Sequence, residues 1–433
     1  MKKPIWYAAA LAPALIIVAT SALPSEAAAL PATGGTYQLK VAKSGKCVDV
    51  PGASSANGAL LQQWGCTTGA AWQQFKLVAA GSNYLLQNVS SGKCIDVPGA
   101  SATSGVQLQQ WGCASGQCTA NSNRQWAFEP IGGGRTWPST PDGFASTGGG
   151  TTGGAAGPTV TVSTMADLQK YVTAGTPYVI RVNGTITITP KGTELKVQSN
   201  KTIVGVGTSG HIVGGGFFLG TGVRNVIIRN LTIRDTAMPD DDPDDKVYDY
   251  DGIQMDTADH VWIDHNTITR MNDGSIDSRK DTSYLTVSWN VLSSNNKAFG
   301  IGWTDNVTAR MTIHHNWIHD TNQRNPSVDN VALAHLYNNY LQNITSYGNL
   351  SRGATKLVLE NSYFDNVKNP YYNDTSAAQL KQSGSIVVNS SGKQQTNGSA
   401  FTPSAYYPYS PDPAADVPSL LKTYAGPQAT IGQ

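Results

Sequence analysis

The chain has 433 residues, more than one ordinary domain needs, with 14% charged residues and 45 glycines. That balance excludes a coiled coil and a disordered tail and suits a β-protein full of tight turns. The formal net charge of +1 offers no global field for nucleic acid or a membrane surface, so local clusters must carry any electrostatic function.

The N-terminus, MKKPIWYAAALAPALIIVATSALPSEAAALPA, has Lys2 and Lys3 ahead of an apolar stretch and small residues at Ala27–Ala29. This predicts a secretory signal peptide over residues 1–29 and an extracellular product. The apolar run is short and broken by proline, which argues against a membrane anchor. All five cysteines fall between Cys47 and Cys118, and the separations Cys47–Cys66 and Cys94–Cys113 are both 19 residues. In an oxidising compartment this repetition predicts two local disulfides. Cys118 is left over and could be free or could compete with Cys113 as partner.

The stretch SGKCVDVPGASSANGALLQQWGC (44–66) recurs as SGKCIDVPGASATSGVQLQQWGC (91–113), 47 residues later. Alternation in KCVDV with turns at PGAS and NG predicts short strands. Residues 36–131 form one module, with a Gly-rich linker over 132–136. The Cys-x-Asp, the Gln-x-Trp-like close and the repeat period resemble ricin-type β-trefoil lectin modules, here with two repeats where that family normally has three. The resemblance implies a shallow sugar site per repeat. Asp49 or Asp96 would accept hydrogen bonds from sugar hydroxyls, and Trp64 or Trp111 would offer a ring face. The family's amide positions are half kept, at Gln73 and Asn123.

From about Trp137 the composition changes. Cysteine disappears and Asn, Asp and Thr rise. The run GGGTTGGAAGP lacks the ending of a phosphate-binding loop. TMADLQKYV predicts one short helix, with Thr164 as N-cap, Asp167 three residues on, and Leu168 and Val172 on one face. NVIIRNLTI, HVWIDHNTI, YLTVSWNVL, RMTIHHNWI, LAHLYNNYL and KLVLENSYF then overlay, aligning Asn230, Asn266, Asn290, Asn316, Asn339 and Asn361 at spacings of 36, 24, 26, 23 and 22. Strand, asparagine at a bend, strand, repeated at this interval, predicts a solenoid with stacked asparagines. The expected fold class is all-β: a right-handed parallel β-helix of about eight coils over 137–433, preceded by a two-repeat β-trefoil-like module. The tail from YYPYSPDP onward is expected to cover strand edges.

Asp249, Asp251, Asp273 and Asp277 lie in YDYDGIQ and NDGSIDS. Residues two apart in a strand face the same way, and neighbouring coils rise by about 4.8 Å, so the four can meet. Carboxylates that dense repel without a cation, and a hard oxygen set points to Ca²⁺. The run Asp240–Asp245 reads instead as a solvated turn. Arg279, Lys280, Lys297, Arg310 and Arg324 follow along the chain. Carboxylates beside cations suit a polyanionic sugar chain, with Arg279 and Arg310 as candidate substrate-binding residues.

HVWIDHN, DGSIDSRKDTSYLTVSWN, HHNWIHD and QRNP, in that order, resemble the pectate lyase family with the parallel β-helix fold. Carried over by position, Asp251, Asp273 and Asp277 match its calcium carboxylates, with Asp249 at a further one. Lys297 matches its substrate-binding lysine and Arg324 the arginine that removes the proton. The family's motif Arg-x-Pro-x-x-Arg ends here in Asp329, which could pair with Arg324, or Arg310 could restore the lost charge. The resemblance implies calcium-assisted β-elimination of de-esterified pectin, (1→4)-α-D-galacturonan, with a module that binds plant cell-wall polysaccharide. The leader implies a secreted product, and since nothing in the sequence demands an oligomer, a monomer is expected. Pectin lyase, polygalacturonase and a catalytically silent pectate-binding protein are the competing readings. His260, His265, His314, His315 and His319 fit stacked structural histidines better than bases.

Overall fold

The computed structural model describes residues 33–41, 43–81, 83–113, 122–128, 137–238 and 248–433. The expected signal peptide, the linker, Cys118 and the run Asp240–Asp245 lie outside them. The chain divides into two compact units after Arg135. No helix among the described residues is long and apolar enough to cross a membrane.

The first unit carries out the repeat in three dimensions. Cys47–Asp49 pairs antiparallel with Gln62–Trp64, and Cys94–Asp96 pairs the same way with Gln109–Trp111. After each first strand a Pro-Gly-Ala turn puts glycine in the left-handed region, Gly52 at φ 61° and Gly99 at φ 60°. Val50, Leu61, Phe75, Leu77, Leu86 and Ile95 form the core. Disulfides Cys47–Cys66 and Cys94–Cys113 close the repeats as expected.

The second unit is a parallel solenoid. One wall is a ten-stranded parallel sheet from Thr159–Val162 to Gln379–Ser383, so there are about ten turns rather than eight. The other sixteen strands make two further ladders, joined through the long strand Val291–Gly302. Strict register stacks like residues: Ile180, Ile203, Ile228, Ile263, Val287, Ile313, Leu336 and Leu359 form one column, all fully buried. Burying each such side chain contributes about 1.5–3 kcal/mol, which is what holds successive turns together. The helix Met165–Val172 covers one end of this core with Leu168 and Val172, and Thr164 caps it by accepting from the Asp167 amide.

The asparagine ladder is real, but its register corrects the alignment. Asn266 Nδ2 donates to Asn290, Asn290 to Asn316, and Asn316 to Asn339, each at 3.0 Å. Ser362, not Asn361, takes the next rung. Asn230 and Asn361 sit one position earlier, with His265, Trp289, His315 and Asn338, where φ is positive. Bending and ladder bonding therefore belong to adjacent residues. Replacing Asn290 with alanine strands the buried Asn266 amide and removes two ladder bonds. It is expected to cost on the order of 3 kcal/mol in a denaturant titration; a loss below about 1 kcal/mol would deny the ladder this role.

The tail runs along a flank rather than along strand edges. Val417, Leu420 and Leu421 of helix Val417–Tyr424 pack on Trp289 and Tyr340. Trp289 at its bend and Tyr340 at the start of its strand offer a broad apolar face there, whereas an edge offers mainly backbone polar groups. The histidines are stacked as expected: His260 on Tyr284, and His315 on Trp289. His314 and His315 share an Nδ1···Nδ1 contact of 2.7 Å, while their Nε2 atoms reach Asp142 and Asp412 at 2.9 Å. An ionised carboxylate can only accept, so each Nε2–H donates to its acidic partner. Burial pushes His315 down to about 4, against the pull of Asp412. Unfolded, His315 takes up a proton near pH 6.5 that the folded protein excludes until about pH 4. The His315 contribution to stability should then fall by about 3 kcal/mol as pH drops through that window and stay level above it. Urea midpoints at pH 7 and 5 check this: His315→Gln should lose less on acidification than wild type, and an equal loss would remove the assignment.

Candidate active site

The site lies on the ladder containing Ile253–Asp256, Gly274–Arg279 and the second half of Val291–Gly302. Ile253, Ile276 and Phe299 point inward in register, so their neighbours Asp277 and Gly300 point outward. Asp249 and Asp251 lie just before the first strand and Asp273 just before the second. These three present carboxylate oxygens within 4.8 Å of one another. Asp277 closes the group: a Cβ on Gly274 would fall 2.7 Å from Asp277 Oδ1 and 2.8 Å from Asp251 Oδ1. Only glycine leaves room for both carboxylates.

Cations border the group. Lys297, in register with Gly274, holds its ammonium on Asp273. Arg279 reaches Asp256 at 3.2 Å and Asp249 at 3.6 Å. Arg324 follows the neighbouring turn's strand in the left-handed region, at φ 59°, which turns its side chain back over the ladder. Its Nη1 stands 3.7 Å from Asp277 Oδ2, and its guanidinium 5.1 Å from the Trp303 ring centre.

Glu194 joins the cluster and was not singled out from sequence. It lies on the strand Thr193–Lys196, in register with Gly216, and is near enough to Asp249 and Asp277 for their charges to act on it. A lone acidic residue within a short strand was the available signal. Burial first, then Asp249, pushes Glu194 up to about 8. Burial and then Asp277 hold Asp251 well above the carboxylate range. Burial raises Asp277 to about 7 although Arg324 opposes it. Asp249 is raised too, by burial and Asp273.

Arg310 is not in this cleft. It begins Arg310–His314 on the ten-stranded wall, its guanidinium 5.7 Å from the Tyr284 ring centre. Consecutive basic residues in the chain fall on different faces of a coil, so order in sequence is not proximity. It therefore cannot replace the family's second arginine. Asp329 does not take Arg324 either: Arg324 lies on Asp277, and the cation in register with Asp329 is Arg352. In the first unit, Asp49 and Asp96 are buried. Asp49 accepts from Gln62 at 2.9 Å and Gln73 at 3.0 Å, and Asp96 from Gln109, Asn123 and Arg124. They tie each repeat shut, so the sugar-accepting role expected of them is not what the geometry offers. Trp64 and Trp111 are exposed, at 61% and 40%.

Carboxylates, lysine and arginine along one open parallel ladder define a solenoid suited to an anionic polymer. A family model described as pectate lyase matches residues 135–430, so the chain belongs to the pectate lyase family and is a polysaccharide lyase. Residues 28–111 and 81–138 match the ricin-type beta-trefoil lectin domain-like model. A pectate trisaccharide-lyase of Bacillus licheniformis is 36% identical over 301 residues, covering 66% of this chain and 85% of that one. One from Thermotoga sp. is 41% identical over 198 residues, 44% of this chain and 53% of that one. Among solved structures, pectate lyase from Bacillus sp. N165 in complex with trigalacturonate aligns with a TM-score of 0.55 at 29% identity, covering 66% of this chain and 98% of that one.

Proposed function

We propose that the chain is a secreted, calcium-dependent pectate lyase cleaving (1→4)-α-D-galacturonan by β-elimination to 4,5-unsaturated oligogalacturonides. The observation that carries the reading is the buried aspartate group facing Arg324. Asp251 Oδ2 and Asp277 Oδ1 are buried with no hydrogen-bond partner. Buried carboxylate oxygens without partners cost free energy and fit a hard cation. With all five carboxylates ionised, Glu194 included, they outnumber the three cationic side chains by two charges, a shortfall equal to one divalent ion. Asp249, Asp251, Asp273 and Asp277 would hold Ca²⁺. When bound, it neutralises charge developing on the substrate's C6 carboxylate.

The chain's own groups do the rest. Lys297 and Arg279 bind substrate carboxylates, Lys297 as a point charge and Arg279 as a fork. Arg324 receives the C5 proton. The C5–H electron pair becomes the C4–C5 double bond as the C4–O bond breaks, and the departing oxygen is protonated from water. A guanidine accepts a proton only in its neutral form. Trp64 and Trp111 offer ring faces to cell-wall sugars. The test is polygalacturonate with and without EDTA, followed by ultraviolet absorbance. Unsaturated product that stops with EDTA supports the reading. Hydrolysis without absorbance, EDTA-indifferent cleavage of esterified pectin, or binding without turnover would each replace it.

A further inference from the structure

Trp303 is 48% exposed, while Trp262 and Trp289 of the same unit are buried at 4% and 7%. It holds φ 59°, a backbone region that bulky residues avoid. The turn that imposes this is pinned: Thr304 and Asn306 both donate to Asp281 at 2.9 Å, and Asn330 donates to the Thr304 carbonyl at 2.7 Å. The ring stands at the end of the active-site strand. A Cβ on Gly300 would come 2.6 Å from the Trp303 ring, 2.7 Å from Asp277 Oδ1 and 3.2 Å from Arg324 Nη1. Gly300 is thus an open floor with a carboxylate, a guanidinium and an indole around it.

We propose that Trp303 is a substrate-positioning residue, its indole stacking on the C–H face of the sugar beside Arg324. The inference rests on the pectate lyase reading and adds a residue to it. A sugar ring presents polar hydroxyls at its rim and C–H groups on its faces, so a fixed aromatic plane orients it without competing for hydrogen bonds. The alternative is that the ring serves only to steady Arg324, 5.1 Å away, and Arg279, 5.8 Å away, by cation–π contact.

Steady-state kinetics of the full chain on polygalacturonate separate the two. Trp303→Ala should raise KM about tenfold with kcat changed less than about threefold, and Trp303→Phe should recover most of the KM. A fall in kcat at unchanged KM would overturn the stacking role. Should wild type show no turnover, the lyase reading fails. Retardation in polygalacturonate-containing native gels then decides this proposal: weaker retardation of Trp303→Ala supports it, and equal migration overturns it.

Discussion

Arg324→Ala is expected to lower kcat/KM on polygalacturonate by about 10²–10⁴-fold, the usual contribution of a placed proton acceptor. The side chain is 24% exposed, so its removal opens no core cavity. Its backbone carbonyl, which accepts from the Phe299 amide at 2.6 Å, is unaffected by the change. The melting temperature should therefore stay near that of wild type while activity collapses. Arg324→Lys should not rescue, because an ammonium restores the charge at Asp277 without the planar fork. Full activity in Arg324→Ala would discard the assignment of the base.

Chelation carries the second large effect. EDTA should abolish formation of unsaturated product, and Ca²⁺ in excess should restore it. Activity alone would not distinguish a structural ion, so the thermal midpoint matters as well. A ligand at a hundred times its Kd stabilises by about 2.7 kcal/mol, and the calcium-loaded protein should melt correspondingly higher. Asp251→Ala should melt at the same temperature with and without calcium, because it removes the most buried carboxylate of the group. A calcium shift as large in Asp251→Ala as in wild type would place the ion elsewhere.

Much of this site was legible in the chain because a solenoid converts sequence spacing into spatial neighbourhood. Asp251, Asp273 and Lys297 are separated by nearly whole turns and come together along one ladder. The same rule misled where phase mattered. Asn230 and Asn361 align by letter with the ladder asparagines but sit one residue earlier, at the bend. Arg310 follows Lys297 in the chain yet occupies another wall.

The sequence by itself determined the two-unit plan, the repeated disulfide loops, the turn period and the residue types that gather at the acidic cleft, because each depends on local spacing and composition. Tertiary structure alone decided which coil face each charge occupies, that Glu194 joins the aspartates, that Asp49 and Asp96 are tied up inside their repeats, and that Trp303 stands beside Arg324. The physical reason is that facing and burial depend on strand register between turns. A shift of one residue carries a side chain from the core to the cleft, and local spacing leaves that shift open.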